Sequence, residues 1–523
     1  MRRNFPPFGG FSSREQSMSG VASIMSGWNA TKILQTIRNH RQNFGVFLRA
    51  QGAGWQPRAC RMLKLLPAPL FIVLVAIVNP LGVKSSSSQT SIDTYRQIAA
   101  GAYPDTGQRK IAVVQIDDRS LNAAKEPHPP SFDFYVRLIE EIKAAGAKSI
   151  LLDLMIISKV RHGDPEGLNR LATVMENFPV FLTAADDRGN EAGCRPDGVQ
   201  NIPELQKAAT REPHALIRDQ ATHVDLFLDN YCGFSRMSAS LAAYQHYCQQ
   251  DDACRKSANN PLVNQDAFRN KALTIEWGRA WPAGAEAIHA GYRNLAESCP
   301  KRSSLAALGN AFFTFFTFRG EGPSKESPGC SYHPLIRAEW LVAPDPRQEV
   351  DQSALRAFLA GRIVVVGNKL AGIPDVGPSP VFGDIPGMFL HAMAIDNLIV
   401  RGADFMTEWP KGSIGGLDTS GLAEFAAMGL FASVGHALSR RIVLRRTRDA
   451  LLWTLVLVLA GWACGLLISA GLVWMCRLEP VNWIGVVLAG AVIASPARSA
   501  VARAWHAALT TEPQTISKNG DKP

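Results

Sequence analysis

Four long apolar stretches lie on either side of an extended polar block, and this pattern dominates the chain. A helix that crosses a bilayer needs about 20 mostly apolar residues. Four stretches are predicted to be transmembrane helices: 65–83, 421–438, 450–475 and 481–496. The second carries the ionisable residues Glu424 and His436, so its prediction is the weakest. The polar block between the first and second stretches is predicted to lie on one side of the membrane.

Basic residues flank these stretches in the order that the positive-inside rule requires. Residues 1–64 contain ten Lys or Arg and a single acid, Glu15. A second basic cluster, 440–448, follows the second stretch, and further basic residues lie in the tail, 497–523. Because basic flanks resist translocation, all three segments are predicted to be cytoplasmic. The block 84–415 is then predicted to lie outside the cytoplasmic membrane, with both termini inside.

The formal net charge of +10 does not change this interpretation. Clustered basic residues also occur in proteins that bind nucleic acids. Here much of the excess lies beside the predicted spans, where it fixes topology and attracts anionic lipid. We therefore expect the lipid bilayer as a partner, and no nucleic acid.

The nine cysteines add information on the compartment. Six lie in the predicted outer block: Cys194, Cys232, Cys248, Cys254, Cys299 and Cys330. An even number of cysteines in an exported segment favours disulfide bonds, although the sequence does not choose among the pairings. A zinc site is the alternative, but it lacks the short Cys-x-x-Cys pairs that structural zinc clusters normally show.

After a polar connector, 84–110, the outer block alternates between strands and helices. Continuous apolar runs are typical of parallel strands buried on both faces, and residues of helical period follow them. The predicted strands are 111–116, 149–154, 179–183 and 362–367, and the predicted helices are 132–145, 167–176 and 389–400. This order predicts an α/β fold, with a parallel or mixed sheet and flanking helices, in addition to the four transmembrane helices.

Residues 187–345 interrupt this rhythm. They contain the six cysteines, many polar residues and few clear strands. We interpret them as an insertion pinned by disulfides, with helices near 238–250 and 282–296. An apolar run, 312–318, is a candidate to rejoin the sheet.

Three motifs occur in a fixed order along the outer block. Asp117-Asp118-Arg119-Ser120-Leu121 ends the first strand, Gly146-Ala147 precedes a strand that reaches Asp153, and a late segment contains Asp375, Pro380, Gly383, Pro386, Gly387, His391 and Ala392. Together they resemble the CHASE domain of type 2, an extracellular sensory module of bacterial membrane receptors. That family typically has one helix before the domain and three after it, as predicted here. The resemblance covers about 110–160 and 360–400.

The chain also departs from the family. The aromatic-Pro motif that opens the first helix is altered to Pro129-Pro130-Ser131-Phe132, and the cysteine-bearing insertion is not part of the pattern. The last helix usually leads to a cyclase, kinase or similar output domain. Here 497–523 is shorter than the about 50 residues of a small domain. We therefore expect a sensor without its own transmitter.

The resemblance implies a non-enzymatic, multi-pass inner-membrane protein whose outer domain binds a small ligand or detects a feature of the envelope. Its signal would pass to a separate cytoplasmic or membrane protein, and homo-oligomer formation is left open. The alternative is a structural or assembly subunit of an envelope complex that binds no ligand.

Five residues are the candidate ligand-binding set: Asp117, Asp118, Asp153, Asp375 and His391. The first three end strands, at the carboxyl edge where open α/β sheets bind ligands. Two alternatives are a cation held by carboxylate oxygens and an exported hydrolase with paired acid–base groups. The structural interpretation is that Asp118 and Asp153 cap helices or tie loops through backbone N–H groups. No catalytic residue, metal site or cofactor is predicted.

Overall fold

The computed structural model describes part of the chain, within one compact unit, Val75–Pro523. The described residues are 83–156, 159, 165–184, 202–211, 213–215, 217–218, 222–231, 234–257, 260–269, 271–282, 284–289, 331–343, 350–371, 375–410, 412–414, 417–424, 426–427 and 447–485. The run 312–318 and most of the predicted first, second and fourth spans therefore lie outside the described residues.

The helices of the described residues are α1 (Val83–Ala99), α2 (Asp118–Ala124), α3 (Phe132–Ala144), α4 (Pro165–Glu176), α5 (Pro203–Ala208), α6 (Ala239–Gln250), α7 (Asp252–Lys256), α8 (Glu339–Val342), α9 (Gln352–Leu359), α10 (Gly387–Arg401) and α11 (Thr447–Cys476). The strands are β1 (Ile111–Asp117), β2 (Ser149–Asp153), β3 (Val180–Leu182), β4 (His223–Asp225), β5 (Phe227–Tyr231), β6 (Phe234–Met237), β7 (Ala272–Thr274), β8 (Leu335–Arg337), β9 (Ile363–Lys369), β10 (Val376–Ser379), β11 (Gly383–Pro386), β12 (Ser413–Ile414) and β13 (Leu417–Asp418).

Five strands form a central sheet in the order β3–β2–β9–β1–β8, and every neighbouring pair is parallel. β9 lies between β1 and β2, so Gly367 pairs with Asp153 on one side and with Gln115 on the other. The carboxyl ends of these three strands therefore meet at one edge of the sheet. The predicted α/β fold with a parallel sheet and flanking helices is confirmed.

The strands bury both faces, which explains their continuous apolar runs. In β1, Val114 and Ile116 point into a core that includes α3, α4 and α9, whereas Ile111 and Val113 point into a second core with α6 and α10. All four side chains have no exposed surface. Each face of the sheet is covered by its own layer of helices. A polar side chain at every second strand position would therefore be buried against one of these layers, which is unfavourable without a hydrogen-bond partner.

Local sequence explains where α3 begins and ends. The hydroxyl of Ser131 accepts a hydrogen bond of 3.2 Å from the backbone N–H of Phe134, which caps the first turn. Phe134, Leu138 and Ile142 recur at helical spacing and are fully buried. Gly146 follows with φ +79°, a conformation that suits glycine after a helix. The predicted helix 132–145 is thus confirmed.

The segment predicted as an insertion contributes to the core. α6 confirms the helix expected near 238–250 and packs into the second core through residues such as Leu241 and Tyr244. In place of a helix over 282–296, the described residues there hold a short 3₁₀ turn, Ala285–Ala287. β8 also comes from this segment and pairs with β1, although three residues are too few to show a strand pattern.

The polar connector 84–110 begins with a helix, α1, that the sequence did not indicate. Ser91 in α1 is fully buried, and its hydroxyl accepts a hydrogen bond of 3.1 Å from the backbone N–H of Ile484. The indole of Trp483 donates to the carbonyl oxygen of Ser91 at 3.2 Å. These partners lie nearly four hundred positions away in the chain, so the stabilising contacts of α1 are tertiary.

Two further predictions concern the cysteines and the third span. Cys248 and Cys254 form a disulfide bond between α6 and α7, whereas the other four candidate cysteines lie outside the described residues. α11 covers the predicted span 450–475. Among the described residues, it is the helix long and apolar enough to cross a membrane, over Leu459–Cys476.

Candidate functional site

The sheet topology places the candidate acids at one edge of the sheet. Asp117 is the last residue of β1 and Asp153 is the last residue of β2. β9 separates them, with Lys369 in register with Asp117 and Gly367 in register with Asp153. The carboxyl edge is where open parallel sheets bind ligands. The structure thus brings Asp117 and Asp153 to flanking positions on either side of β9.

Asp117 and Asp118 make local structural contacts. Oδ1 of Asp117 accepts hydrogen bonds of 2.8 Å from both the backbone N–H and the hydroxyl of Ser120, which caps α2. Oδ2 of Asp118 accepts a hydrogen bond of 2.9 Å from the backbone N–H of Ala371 in the loop after β9. Asp118 is exposed. Its contact is the loop-tying role that the sequence analysis offered as the structural interpretation.

Asp153 has a different environment, because it faces His391 on the first turns of α10. Nε2 of His391 lies 3.5 Å from Oδ1 of Asp153, and both side chains are mostly buried, at 5% and 10% exposure. Nδ1 of His391 is buried and has no hydrogen-bond partner among the described residues. A buried imidazole nitrogen without a partner is costly, so this atom is available to a bound ligand or water.

Asp375 joins the same cluster from the loop before β10. The backbone N–H of Gly387, the first residue of α10, donates a hydrogen bond of 3.0 Å to the carbonyl oxygen of Asp375. A Cβ at Gly387 would lie 2.6 Å from Oδ1 of Asp375, so glycine is required for this close approach. The Asp375 carboxylate therefore sits at the positive end of a 15-residue helix.

The electrostatics of Asp375 reflect this crowding. Partial burial and the neighbouring Asp153 carboxylate raise the pKa of Asp375, while His391 opposes the rise. Two carboxyl groups that face each other resist ionising together. Asp375 is nevertheless exposed to solvent, so the raised pKa means only that its carboxyl keeps a proton to a higher pH than an ordinary aspartate.

We name Asp153, Asp375 and His391 the edge cluster. It offers carboxylate oxygens that accept hydrogen bonds, a carboxyl that holds its proton to higher pH than usual, and an imidazole nitrogen. This set suits a small polar ligand with N–H or O–H donors. Among the described residues, no group of three or more His, Cys, Asp or Glu side chains is arranged to hold a metal ion.

A second polar network, which the sequence analysis missed, lies deeper in α10. Asp396 has no exposed surface, and its Oδ1 accepts a hydrogen bond of 2.7 Å from the Tyr103 hydroxyl. Nε2 of His333 lies 3.0 Å from Oδ2 of Asp396, and the side-chain amide of Asn397 donates to the Tyr103 oxygen at 2.7 Å. Burial and the Asp396 carboxylate raise the pKa of Tyr103 well above its ordinary value. The sequence signal that could have revealed this network is Asp396 itself, an acidic residue within the otherwise apolar helix α10.

The same helix ends in an ion pair. Arg401 in the last turn of α10 contacts both carboxylate oxygens of Glu276, at 3.0 and 2.9 Å. Asn397, one turn earlier, exchanges hydrogen bonds with the backbone of Glu276 at 2.7 and 3.0 Å. α10 therefore carries three successive polar groups along its length: His391 in the edge cluster, Asp396 and Asn397 in the buried network, and Arg401 at its carboxyl end.

This geometry agrees with a comparison to protein families. The sequence profile of the CHASE2 domain matches residues 70–468. The chain belongs to the CHASE2 family. The match includes the whole central sheet, all five candidate residues and most of α11. No curated protein and no solved structure matches the chain.

CHASE2 domains are extracellular sensory domains, which is consistent with a sensing role for this chain and compatible with a protein that is not an enzyme. The family assignment confirms the resemblance given by the strand-end motifs. The disulfide Cys248–Cys254 is the kind of bond that persists in an oxidising compartment.

Proposed function

We propose that this CHASE2 protein is a multi-pass inner-membrane sensor that binds a small polar ligand at the edge cluster. The observation that carries this proposal is the buried His391, whose Nε2 faces Asp153 at 3.5 Å while its Nδ1 has no partner among the described residues. Most buried polar atoms that only stabilise a fold have a hydrogen-bond partner. Asp117 and Asp118, with their local contacts, are proposed to shape the sheet edge around the ligand.

The chemistry of the cluster indicates a ligand class. Asp153 and Asp375 supply acceptor oxygens, and no lysine or arginine side chain forms an ion pair with either among the described residues. We therefore expect a small cationic or multi-donor ligand, such as an amine. Its positive charge would lower the pKa of Asp375 and remove the repulsion between the two carboxylates.

Helix α10 offers a route from this site towards the membrane. Its first turns hold His391, its middle holds Asp396, and its last turn holds Arg401, which pairs with Glu276 beside α1 and α11. Packed helices move as units rather than bending freely. We propose that a ligand-dependent shift of α10 reaches α1 through the bond between Asp396 and Tyr103.

The proposed topology has four transmembrane helices, 65–83, 421–438, 450–475 and 481–496, with both termini in the cytoplasm. The exposed α11 side chains and the basic cluster 440–448 support it. A separate cytoplasmic or membrane protein would supply the output. Fusions test the topology: alkaline phosphatase is expected to be active after Glu286 and inactive after Asp449. The reverse pattern would overturn it.

The ligand site is tested by thermal unfolding of the full-length protein in detergent with putrescine, spermidine and, as a neutral control, glucose. A rise in the unfolding midpoint with an amine is expected, and it should be lost in His391→Gln and Asp153→Asn. Asp384→Asn is the matched control, because this substitution also removes one negative charge and Asp384 is exposed on the adjacent β11. Failure of every amine, or a shift that survives in His391→Gln, would reject this site.

A further inference from the structure

A cleft of about 510 Å³ lies where the outer domain meets the end of the membrane helix α11. α1 forms one wall with Tyr95 and Arg96, and the domain forms a second wall with Glu276, Trp277 and Arg401. The third wall is the last three turns of α11 and the residue that follows it, Arg477. The cleft is separate from the edge cluster, none of whose residues line it.

The wall formed by α11 is apolar and open. Leu467 and Trp474 are 71% and 75% exposed, and both lie within the membrane-spanning segment Leu459–Cys476. Such side chains on a spanning helix contact lipid, and tryptophan is enriched at the level of the headgroups. The cleft therefore opens towards the acyl chains at the outer interface of the bilayer.

The polar end of the cleft carries an excess of positive charge. Three arginines line it, Arg96, Arg401 and Arg477, against one acid, Glu276. Glu276 already accepts hydrogen bonds from two of the three guanidinium nitrogens of Arg401, at 3.0 and 2.9 Å. Arg96 and Arg477 therefore remain as cations that no acid of the cleft lining neutralises.

Arg96 is the decisive residue. It is 2% exposed, and none of its three guanidinium nitrogens has a hydrogen-bond partner among the described residues. A buried guanidinium without hydrogen bonds costs several kcal/mol unless it is compensated. An arginine fork is suited to phosphate oxygens, which it binds through two parallel hydrogen bonds.

Nearby acids do not supply this compensation. Burial lowers the pKa of Arg96, and the attraction of Asp93, Glu479 and Glu276 opposes this fall without overcoming it. Asp93 accepts hydrogen bonds from Gln89 at 3.0 and 3.1 Å. Glu479 faces Nε2 of His223 at 3.1 Å. Both carboxylates are thus directed to other partners, and neither belongs to the cleft lining.

We propose that the cleft binds an anionic phospholipid of the outer leaflet, with its phosphate on Arg96 and Arg477 and an acyl chain along Leu467 and Trp474. The proposal depends on the membrane insertion argued above, which the fusions test on their own, and is independent of the edge cluster. An occupied cleft would hold α1 against α11 and so set how the outer domain is coupled to the membrane.

The experiment is native mass spectrometry of the delipidated full-length protein in neutral detergent. The probes are phosphatidylglycerol and phosphatidylcholine with identical acyl chains. Phosphatidylglycerol is expected to bind more tightly, and Arg96→Gln should weaken it about tenfold or more, as for the loss of hydrogen bonds to a charged group. Arg356→Gln is the matched control, because this substitution removes the same charge and Arg356 is exposed on α9.

Folding is checked separately. Arg96 is a buried cation whose guanidinium has no hydrogen bond to the part of the chain that the structure describes. Without lipid, the Arg96→Gln variant should therefore unfold at the same temperature as the wild type or higher. Equal binding of the two lipids, or unchanged phosphatidylglycerol binding in Arg96→Gln, overturns the proposal. Palmitate or inorganic phosphate binding at the site in place of phosphatidylglycerol also overturns it, because the occupant would then be a fatty acid or a soluble anion.

Discussion

The hydroxyl of Tyr103 donates a hydrogen bond of 2.7 Å to Oδ1 of Asp396, and both side chains are buried. Tyr103 follows α1, while Asp396 lies in the middle of α10. The bond thus joins the segment that leads from the membrane to the helix that carries the edge cluster. A buried carboxylate depends on such donors, since water is excluded from it.

Replacement of this tyrosine should destabilise the protein. Tyr103→Phe leaves the Asp396 carboxylate and the Asn397 amide each without one partner, so the free energy of unfolding should fall by about 1–3 kcal/mol. Urea unfolding of the full-length protein, followed by tryptophan fluorescence, measures the change. Tyr247→Phe is the control, because the Tyr247 hydroxyl contacts the partly buried Asp251 and its loss should cost less. An equal cost for both variants would contradict the special role of Tyr103.

A methyl group at the start of α10 should disturb the edge cluster. Gly387→Ala places a Cβ 2.6 Å from Oδ1 of Asp375, and relief of such overpacking typically costs about 1–3 kcal/mol of stability. Gly471→Ala in α11 is the control, because no atom lies within 4 Å of its added Cβ. Adding Asp375→Ala should restore stability to the Gly387→Ala variant. If it does not, the clash lies elsewhere.

The pH dependence of stability should carry the signature of Asp375. Its pKa is raised in the folded state, so the folded protein holds this proton while the unfolded chain, with an ordinary pKa of about 3.9, releases it. The stabilisation is complete below the unfolded pKa and is lost as the pH rises through the folded pKa. Asp375→Asn should therefore reduce the fall in unfolding midpoint on going from about pH 4 towards neutrality.

Asp351 should affect the pH dependence of stability in the opposite direction, because its pKa is lowered in the folded state. Hydrogen bonds from Ser353 and Ala354 lower the pKa of this capping carboxylate. Its contribution is present above the unfolded pKa and is lost as the pH falls through the folded pKa. Asp351→Asn should therefore change only the acid limb of the stability profile. If Asp375→Asn also altered only the acid limb, the raised pKa of Asp375 in the folded protein would be contradicted.

The disulfide Cys248–Cys254 should be present in protein exported to an oxidising compartment. Peptide mapping without reduction is expected to recover the two cysteines as a linked, unalkylated pair, while the free and exposed Cys464 and Cys476 take up the alkylating agent. Cys248→Ser should lower the free energy of unfolding by about 2 kcal/mol, as expected for a short loop. Alkylation of Cys248 without reductant would contradict the disulfide.

Sequence reasoning found the candidate acids but did not distinguish their roles. In the sequence, Asp117, Asp118 and Asp153 all lie at the end of a buried apolar run, so their pattern is alike; in the structure, Asp118 is the first residue of α2. The structure separates them through their contacts: Asp117 caps α2, Asp118 binds the loop at Ala371, and Asp153 faces His391. The partner of Asp117 is local, but those of Asp118 and Asp153 come from distant segments, and a contact of this kind leaves no periodic signal along the chain.

The sequence by itself determined the strand–helix order and the apolar length of α11, because both depend on local periodicity or composition. Its strand-end motifs indicated the family, which the profile match confirms. Only the tertiary structure decided that β9 enters between β1 and β2, that the polar α1 is a helix, and that three-residue β8 completes the sheet. It also decided which acids meet His391 and where Arg96 is buried. Those outcomes depend on pairing and packing between residues far apart in the chain, and local propensity does not encode them.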